Sequence, residues 1–168
     1  MAHVYVSVGS NINPLYHIRQ GLAKLQQHYG SLILSSVYES YPVGFSGDNF
    51  YNLVVGFDTT SDAYTVNAIL HQIEHQQGRQ QQGEKAYNAR TLDLDLLLYD
   101  DVIIKDSILE IPRPEIMQYA FVLLPLSEIA PDARHPLTQA YYADMWQQFD
   151  QQNQSLWRVS VDVDPSKN

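Results

Sequence analysis

The sequence predicts an α+β domain built on a βαββαβ core, and three observations carry that reading. Segments of apolar/polar alternation, amphipathic segments of helical period, and turn residues at their junctions succeed one another in that order. The order is the split βαβ arrangement of ferredoxin-like folds. Residues 3–8 alternate, with Val4, Val6 and Val8 on one side, as a strand does. Gly9-Ser10-Asn11 is expected to turn the chain, and Pro14 suits a first helical position. Leu15, Ile18, Leu22 and Leu25 then recur at helical spacing until Gly30 supplies the stop. Residues 32–40 and 50–57 read as two strands, and their connection over 41–49 is a candidate binding loop because it exceeds a tight hairpin. Ser61 is expected to cap a helix running to about Gln77, with Val66, Ile69, Leu70 and Ile73 as its apolar stripe. Thr91-Leu92-Asp93-Leu94-Asp95-Leu96 alternates strictly and makes the fourth core strand. Helices over 114–129 and 138–149 and a last strand over 155–163 follow, while the glutamine runs at 80–82 and 151–154 read as solvated loops.

The chain has 168 residues, the size of one domain, so residues 1–168 are expected to form a single unit. With no cysteine there is no disulfide framework, thiolate metal site or cysteine nucleophile. No apolar run approaches the length of a membrane span, and a cytoplasmic monomer is expected. The net charge of −9 argues against nucleic acid and anionic membranes as partners. The cations are nevertheless clustered: Arg79, Lys85, Arg90, Lys105 and Arg113 are half of the ten, in a window that also holds Asp93, Asp95, Asp100 and Asp101. Such a mixture suits a multivalent anion handled together with metal ions, or a solvated charged loop beside a strand.

Three constellations could carry chemistry. His71-Gln72-Ile73-Glu74-His75 matches the HxxEH pattern of one zinc peptidase class, with a solvated helix face as the plainer reading. Asp93 and Asp95, two apart on a strand, point the same way about 6.5 Å apart along the chain. That spacing can bracket two magnesium ions about 3.5–4 Å apart. Aspartate is a poor strand former, and a pair inside a leucine-rich strand is a local inconsistency that tends to mark function. Phe50, Asn52 and Phe121 form an aromatic and amide set whose alternative is ordinary core packing.

Together these pieces resemble the 6-hydroxymethyl-7,8-dihydropterin pyrophosphokinase family of folate biosynthesis. The resemblance lies in YVSVGSN (5–11), SSVYESYPVG (35–44), FYN (50–52), ARTLDLDLLLYD (89–100) and FVLLPLSEIAPD (121–132), in order over most of residues 3–135. It implies a ferredoxin-like core with additional C-terminal helices. It also implies transfer of diphosphate from ATP to a pterin hydroxymethyl oxygen, releasing AMP. Asp93 and Asp95 would be ligands of two magnesium ions, and Arg79 and Arg90 the phosphate-contacting catalytic arginines. Phe50 and Phe121 would sandwich the pterin, Asn52 would bond its edge, and Ser40, Pro42 and Val43 would line its pocket. Glu74 and Gln77 would neighbour the nucleotide, and Lys85 and Arg113 are the cations available to reach the triphosphate in place of family cations this chain lacks.

The chain departs from the family pattern at several cations. Arg113 stands where a histidine is usual, and Gln81 and Tyr119 stand where arginines are expected. Asn88-Ala89 precedes Arg90 in place of Gly-Pro or Ala-Ala. A divergent paralogue that binds a pterin or nucleotide with weak or no turnover is the alternative those departures leave open.

Overall fold

Alternation along the strands sorts side chains onto two faces of one antiparallel sheet, and each face is covered by its own helices. The computed structural model describes residues 1–42, 46–78 and 91–167. The elements are β1 (Ala2–Ser10), α1 (Pro14–Tyr29), β2 (Ile33–Leu34), β3 (Val37–Ser40), β4 (Phe50–Thr59), α2 (Ala63–Gln76) and β5 (Asp93–Tyr99). A small hairpin of β6 (Ile104–Lys105) and β7 (Glu110–Ile111) follows, then α3 (Glu115–Gln118), α4 (Ala120–Ile129), α5 (Tyr142–Gln148) and β8 (Leu156–Val159). The strand order is β5-β1-β4-β3-β8, with β2 also on β4. Every pairing in this sheet is antiparallel, and the first four strands give the ferredoxin-like order.

On one face Val4, Val6 and Val8 join Leu53, Val55, Leu94 and Leu96 against Ile18, Leu22 and Leu25 of α1 and Val66, Leu70 and Ile73 of α2. At roughly 1.5–3 kcal/mol per fully buried aliphatic side chain, this layer and not the surface ion pairs holds the sheet together. On the other face Val54, Leu97 and Leu98 pack on Ile116, Val122, Leu123, Leu126 and Tyr142.

A bulge reconciles the leucine run with these two layers. Val6 pairs with Leu96 and Tyr5 with Leu98, so Leu97 is an extra residue on β5. Leu97 and Leu98 therefore both turn to the second face, while Leu96 and Tyr99 serve the first.

Several expectations from the sequence need correction. Gly9 and Ser10 remain in β1, because Gly9 pairs with both Asn52 and Asp93, and the turn comes after them. The strand over 32–40 is broken at Ser35-Ser36: Ser35 Oγ accepts from Val54 N at 2.9 Å, and Glu128 takes both the N–H and the hydroxyl of Ser36. The cap of α2 is Asp62, whose carboxylate accepts from Thr65 N at 2.7 Å, and not Ser61. The helix over 114–129 divides at Tyr119, and the one over 138–149 begins at Tyr142. The last strand is shorter than expected, Leu156–Val159. Gln151 and Gln154 are also not simply solvated, since both donate from their side-chain amides to backbone carbonyls. Among the described residues no helix is long and apolar enough to cross a membrane.

Candidate active site

Where β5 begins, the second face of the sheet opens into a cleft of about 500 Å³. Leu92, fully buried, seats this end of the strand on α1, where a Cβ at Gly21 would meet its Cδ2 at 2.7 Å. The next residues alternate: Leu94 and Leu96 go to the core, and Asp93 and Asp95 face the cleft. Across the ladder Asp95 is opposite Ser7 and Asp93 is opposite Gly9. On its other side Gly9 is opposite Asn52, so the row runs Asp93, Gly9, Asn52 over three strands. Glycine leaves the Asn52 amide its place, because a Cβ there would sit 2.6 Å from Asn52 Oδ1 and push it aside. Asn52 is 6% exposed, and its side-chain amide makes no hydrogen bond within the described residues. A nearly buried amide with unused donors and an unused acceptor, at the floor of a cleft, is equipped to read the polar edge of a ligand.

The carboxylate end is electrostatically crowded. Arg113 Nη2 lies 3.3 Å from Asp95 Oδ1, and Arg113 Nε donates to Glu115 Oε2 at 2.5 Å. The backbone of Arg113 is itself fixed to β5, its N–H donating to Leu97 O at 3.0 Å. Even so, burial first and the charge of Asp93 second push the Asp95 carboxyl up to about 7, with Arg113 opposing them and Glu74 and Glu115 adding to the rise. Burial alone would lower the Arg113 guanidinium, but Asp95, Glu115 and Asp93 outweigh it and hold the group above its ordinary value. Two crowded carboxylates of this kind fit a hard divalent cation. Among the described residues no third His, Cys, Asp or Glu completes an all-protein site, which matches magnesium's habit of taking a few carboxylates plus phosphate oxygens and water.

Aromatic rings form the opposite wall. Phe50 enters from the start of β4, and Phe121 from the first turn of α4. Tyr119 stacks on Phe121, with ring centroids 5.0 Å apart and planes at 20°. Pro42 lines a smaller adjoining pocket of about 370 Å³ that shares Ser40, Tyr41, Tyr119 and Phe121 with the cleft.

Of the residues named from sequence, Ser40, Phe50, Asn52, Asp93, Asp95, Arg113 and Phe121 line one cleft. Glu74 and Gln77 do not. Glu74 is 3% exposed, and its Oε2 accepts from Leu94 N at 2.7 Å, covering the outer edge of β5. Its Oε1 accepts from His71 Nδ1 at 3.0 Å, which also occupies the acid of the HxxEH motif and leaves the zinc reading without support among the described residues. Gln77 Oε1 turns to His17 Nδ1, 3.1 Å away on α1. Val43, Arg79, Lys85, Arg90 and Gln81 lie outside the described residues.

Sequence reasoning missed Ser7, Gly9, Tyr41, His71, Leu97, Glu115, Tyr119 and Val122 as lining residues. Period-2 alternation places Ser7 and Gly9 opposite the core valines, a usable signal once the register with β5 is known. Glu115 and Tyr119 carry no such signal, since their place depends on the path of the chain after β7.

Comparison with known proteins identifies the family. Residues 5–131 match the family model described as 7,8-dihydro-6-hydroxymethylpterin-pyrophosphokinase. The 2-amino-4-hydroxy-6-hydroxymethyldihydropteridine pyrophosphokinase of Bacillus subtilis is 32% identical over 164 residues, 95% of this chain and 93% of the relative. The enzyme of the same name from Haemophilus influenzae is 34% identical over 143 residues, 83% and 88% of the two chains. In fold, the wild-type HPPK-DHPS protein of Plasmodium falciparum, solved with SDX-DHP, superposes with a TM-score of 0.63 at 15% identity. That match covers 88% of this chain and 43% of the other, so this chain spans less than half of that protein. The family match across three-quarters of the chain, together with relatives matched nearly end to end, makes the chain a member of the 7,8-dihydro-6-hydroxymethylpterin-pyrophosphokinase family.

Proposed function

We propose that the cleft at the start of β5 is where this chain carries out its family's reaction. The chain is an ATP-dependent pyrophosphokinase of folate biosynthesis, transferring diphosphate to 6-hydroxymethyl-7,8-dihydropterin and releasing AMP. The observation that carries the site assignment is the row Asp93, Gly9, Asn52, which sets paired carboxylates beside an unpartnered buried amide on one sheet face. In the reaction the substrate hydroxymethyl oxygen attacks the β-phosphorus of ATP. The bond from that phosphorus to the α,β-bridging oxygen breaks, AMP leaves with the oxygen, and the hydroxyl proton is released.

Asn52 bonds the pterin edge, and Phe50 and Phe121 bind its flat faces. Ser40, Pro42 and Val43 line the pterin side, and Asp93 and Asp95 hold two magnesium ions. Bound with the nucleotide, magnesium supplies neutralisation of phosphate charge. Arg79, Arg90 and Lys85 add cationic contacts to the triphosphate, and Arg113, already at the carboxylate end, is the described cation that can join them. The aromatic wall and α4 help keep water from the phosphoanhydride.

The test is AMP formation from ATP by purified protein, with and without 6-hydroxymethyl-7,8-dihydropterin and magnesium. Pterin- and magnesium-dependent AMP, equimolar with diphosphorylated pterin, is the expected result. Pterin binding by calorimetry without AMP would overturn the assignment in favour of a non-catalytic paralogue.

A further inference from the structure

The aromatic wall of the cleft is held in place by a residue from the far end of the chain. Tyr119 joins α3 to α4 with an extended backbone (φ −124°, ψ 127°) and occupies the cap position of α4. A tyrosine cannot turn its hydroxyl back onto its own helix as serine or aspartate does, and no side-chain cap bond is made. The N–H of Ala120, the first residue of α4 and 1% exposed, has no intrahelical acceptor and precedes the positions that a cap side chain serves, so it needs an acceptor from outside the helix. Gln154 provides it: its Oε1 accepts from Ala120 N at 2.8 Å, and its Nε2 donates to Gln118 O at 2.8 Å. These two bonds bracket Tyr119 much as a neighbouring strand brackets a residue between one C=O and one N–H.

The glutamine is itself braced. Asp150 accepts from Gln152 N at 3.2 Å and from Asn153 Nδ2 at 2.5 Å, and two residues further on Leu156 pairs with Ser40 of β3. We infer that Gln154 is a positioning residue for the pterin. By clamping both peptide groups around Tyr119, it fixes the Tyr119–Phe121 stack against which the substrate ring binds. Gln154 does not line the main cleft, though it lines the smaller adjoining pocket with Pro42, Tyr119 and Phe121, and it lies beyond the residues that match the family model. The inference rests on the pterin reading of the cleft.

The test is steady-state AMP formation by the full chain and by Gln154→Leu, which keeps similar bulk and makes neither bond. The KM for the pterin is expected to rise roughly 3- to 10-fold, short of the ~10²-fold of a misplaced reacting group. The KM for MgATP and kcat should stay within about twofold. In a Phe121→Leu background the same substitution should change the pterin KM less than about twofold, because the ring it positions is gone. A purely structural role would instead damage both substrates alike and act independently of Phe121. Should Gln154→Leu fold poorly, Gln154→Asn, the same amide one methylene short, carries the same expectation. An unchanged pterin KM, or full additivity with Phe121→Leu, overturns the inference. Pterin-dependent AMP formation by the parent chain, run alongside, fails only if the functional reading itself fails.

Discussion

Replacing Asp95 by asparagine should stabilise the fold while abolishing its use. The carboxyl of Asp95 is held up to about 7 by burial and by Asp93, whereas an unfolded chain ionises it near 3.9. Between pH 4 and 7 the folded protein therefore keeps a proton that the unfolded chain has released. Stability falls across that window as pH rises and levels off above it. Three pH units correspond to a ceiling of about 4 kcal/mol, at about 1.4 kcal/mol each. The Asp95 side chain is 29% exposed, and water reaching it halves that figure to about 2 kcal/mol. Asparagine has the same shape and no charge, and Arg113 retains Glu115 as a partner. For a chain of this length each kcal/mol moves Tm by roughly 2–4 °C, so the variant should melt about 4–8 °C above the parent at pH 8 with a chelator present. The gap should close towards pH 4, and added magnesium with nucleotide should raise the Tm of the parent alone. Scanning calorimetry from pH 4 to 8 makes the comparison. Coincident melting at pH 8, or a gap independent of pH, would refute the claim that burial and the neighbouring charge of Asp93 strain this carboxylate.

Other substitutions separate the two halves of the cleft. Arg113→Met should tighten Mn²⁺ binding without nucleotide by roughly 3- to 10-fold, because a cation leaves the carboxylates, yet weaken MgATP. Titration calorimetry that found both constants moving together would deny Arg113 this double role. Gly9→Ala should displace the Asn52 amide, since the new methyl would sit 2.6 Å from Oδ1, and lower pterin affinity roughly tenfold at unchanged MgATP affinity. Asn52→Ala and Phe121→Ala should likewise cost roughly ten- to a hundredfold in pterin affinity, and equal losses for both substrates would move the pterin site elsewhere.

The core strands and the two aspartates were legible because each rests on local periodicity. Val4, Val6 and Val8 announce a face, and so do Leu94 and Leu96, which puts Asp93 and Asp95 on the other. What the sequence leaves open is set by contacts distant along the chain. Nothing near Tyr119 breaks a helix, and the bonds that bracket it come from residue 154. Ser35-Ser36 reads as strand until Glu128 draws the N–H and hydroxyl of Ser36 away. Ser61 and Asp62 are both good caps, and only the bond to Thr65 N chooses between them. The same limit explains Glu74, where an acid expected near nucleotide covers an exposed strand edge.

The row Asp93, Gly9, Asn52 also acts as a ruler. Three adjacent strands carry it, so the separation between the group that reads the substrate's edge and a carboxylate beside the phosphates is two interstrand steps, about 10 Å between backbones. Backbone hydrogen bonds on both sides of β1 set that backbone spacing, and no loop can lengthen it. Surrounding segments can therefore vary in length and charge without altering the scale of the site. A substrate whose hydroxyl stands one bond further from its ring, by contrast, would present its oxygen out of step with the lattice and meet the phosphates at the wrong place.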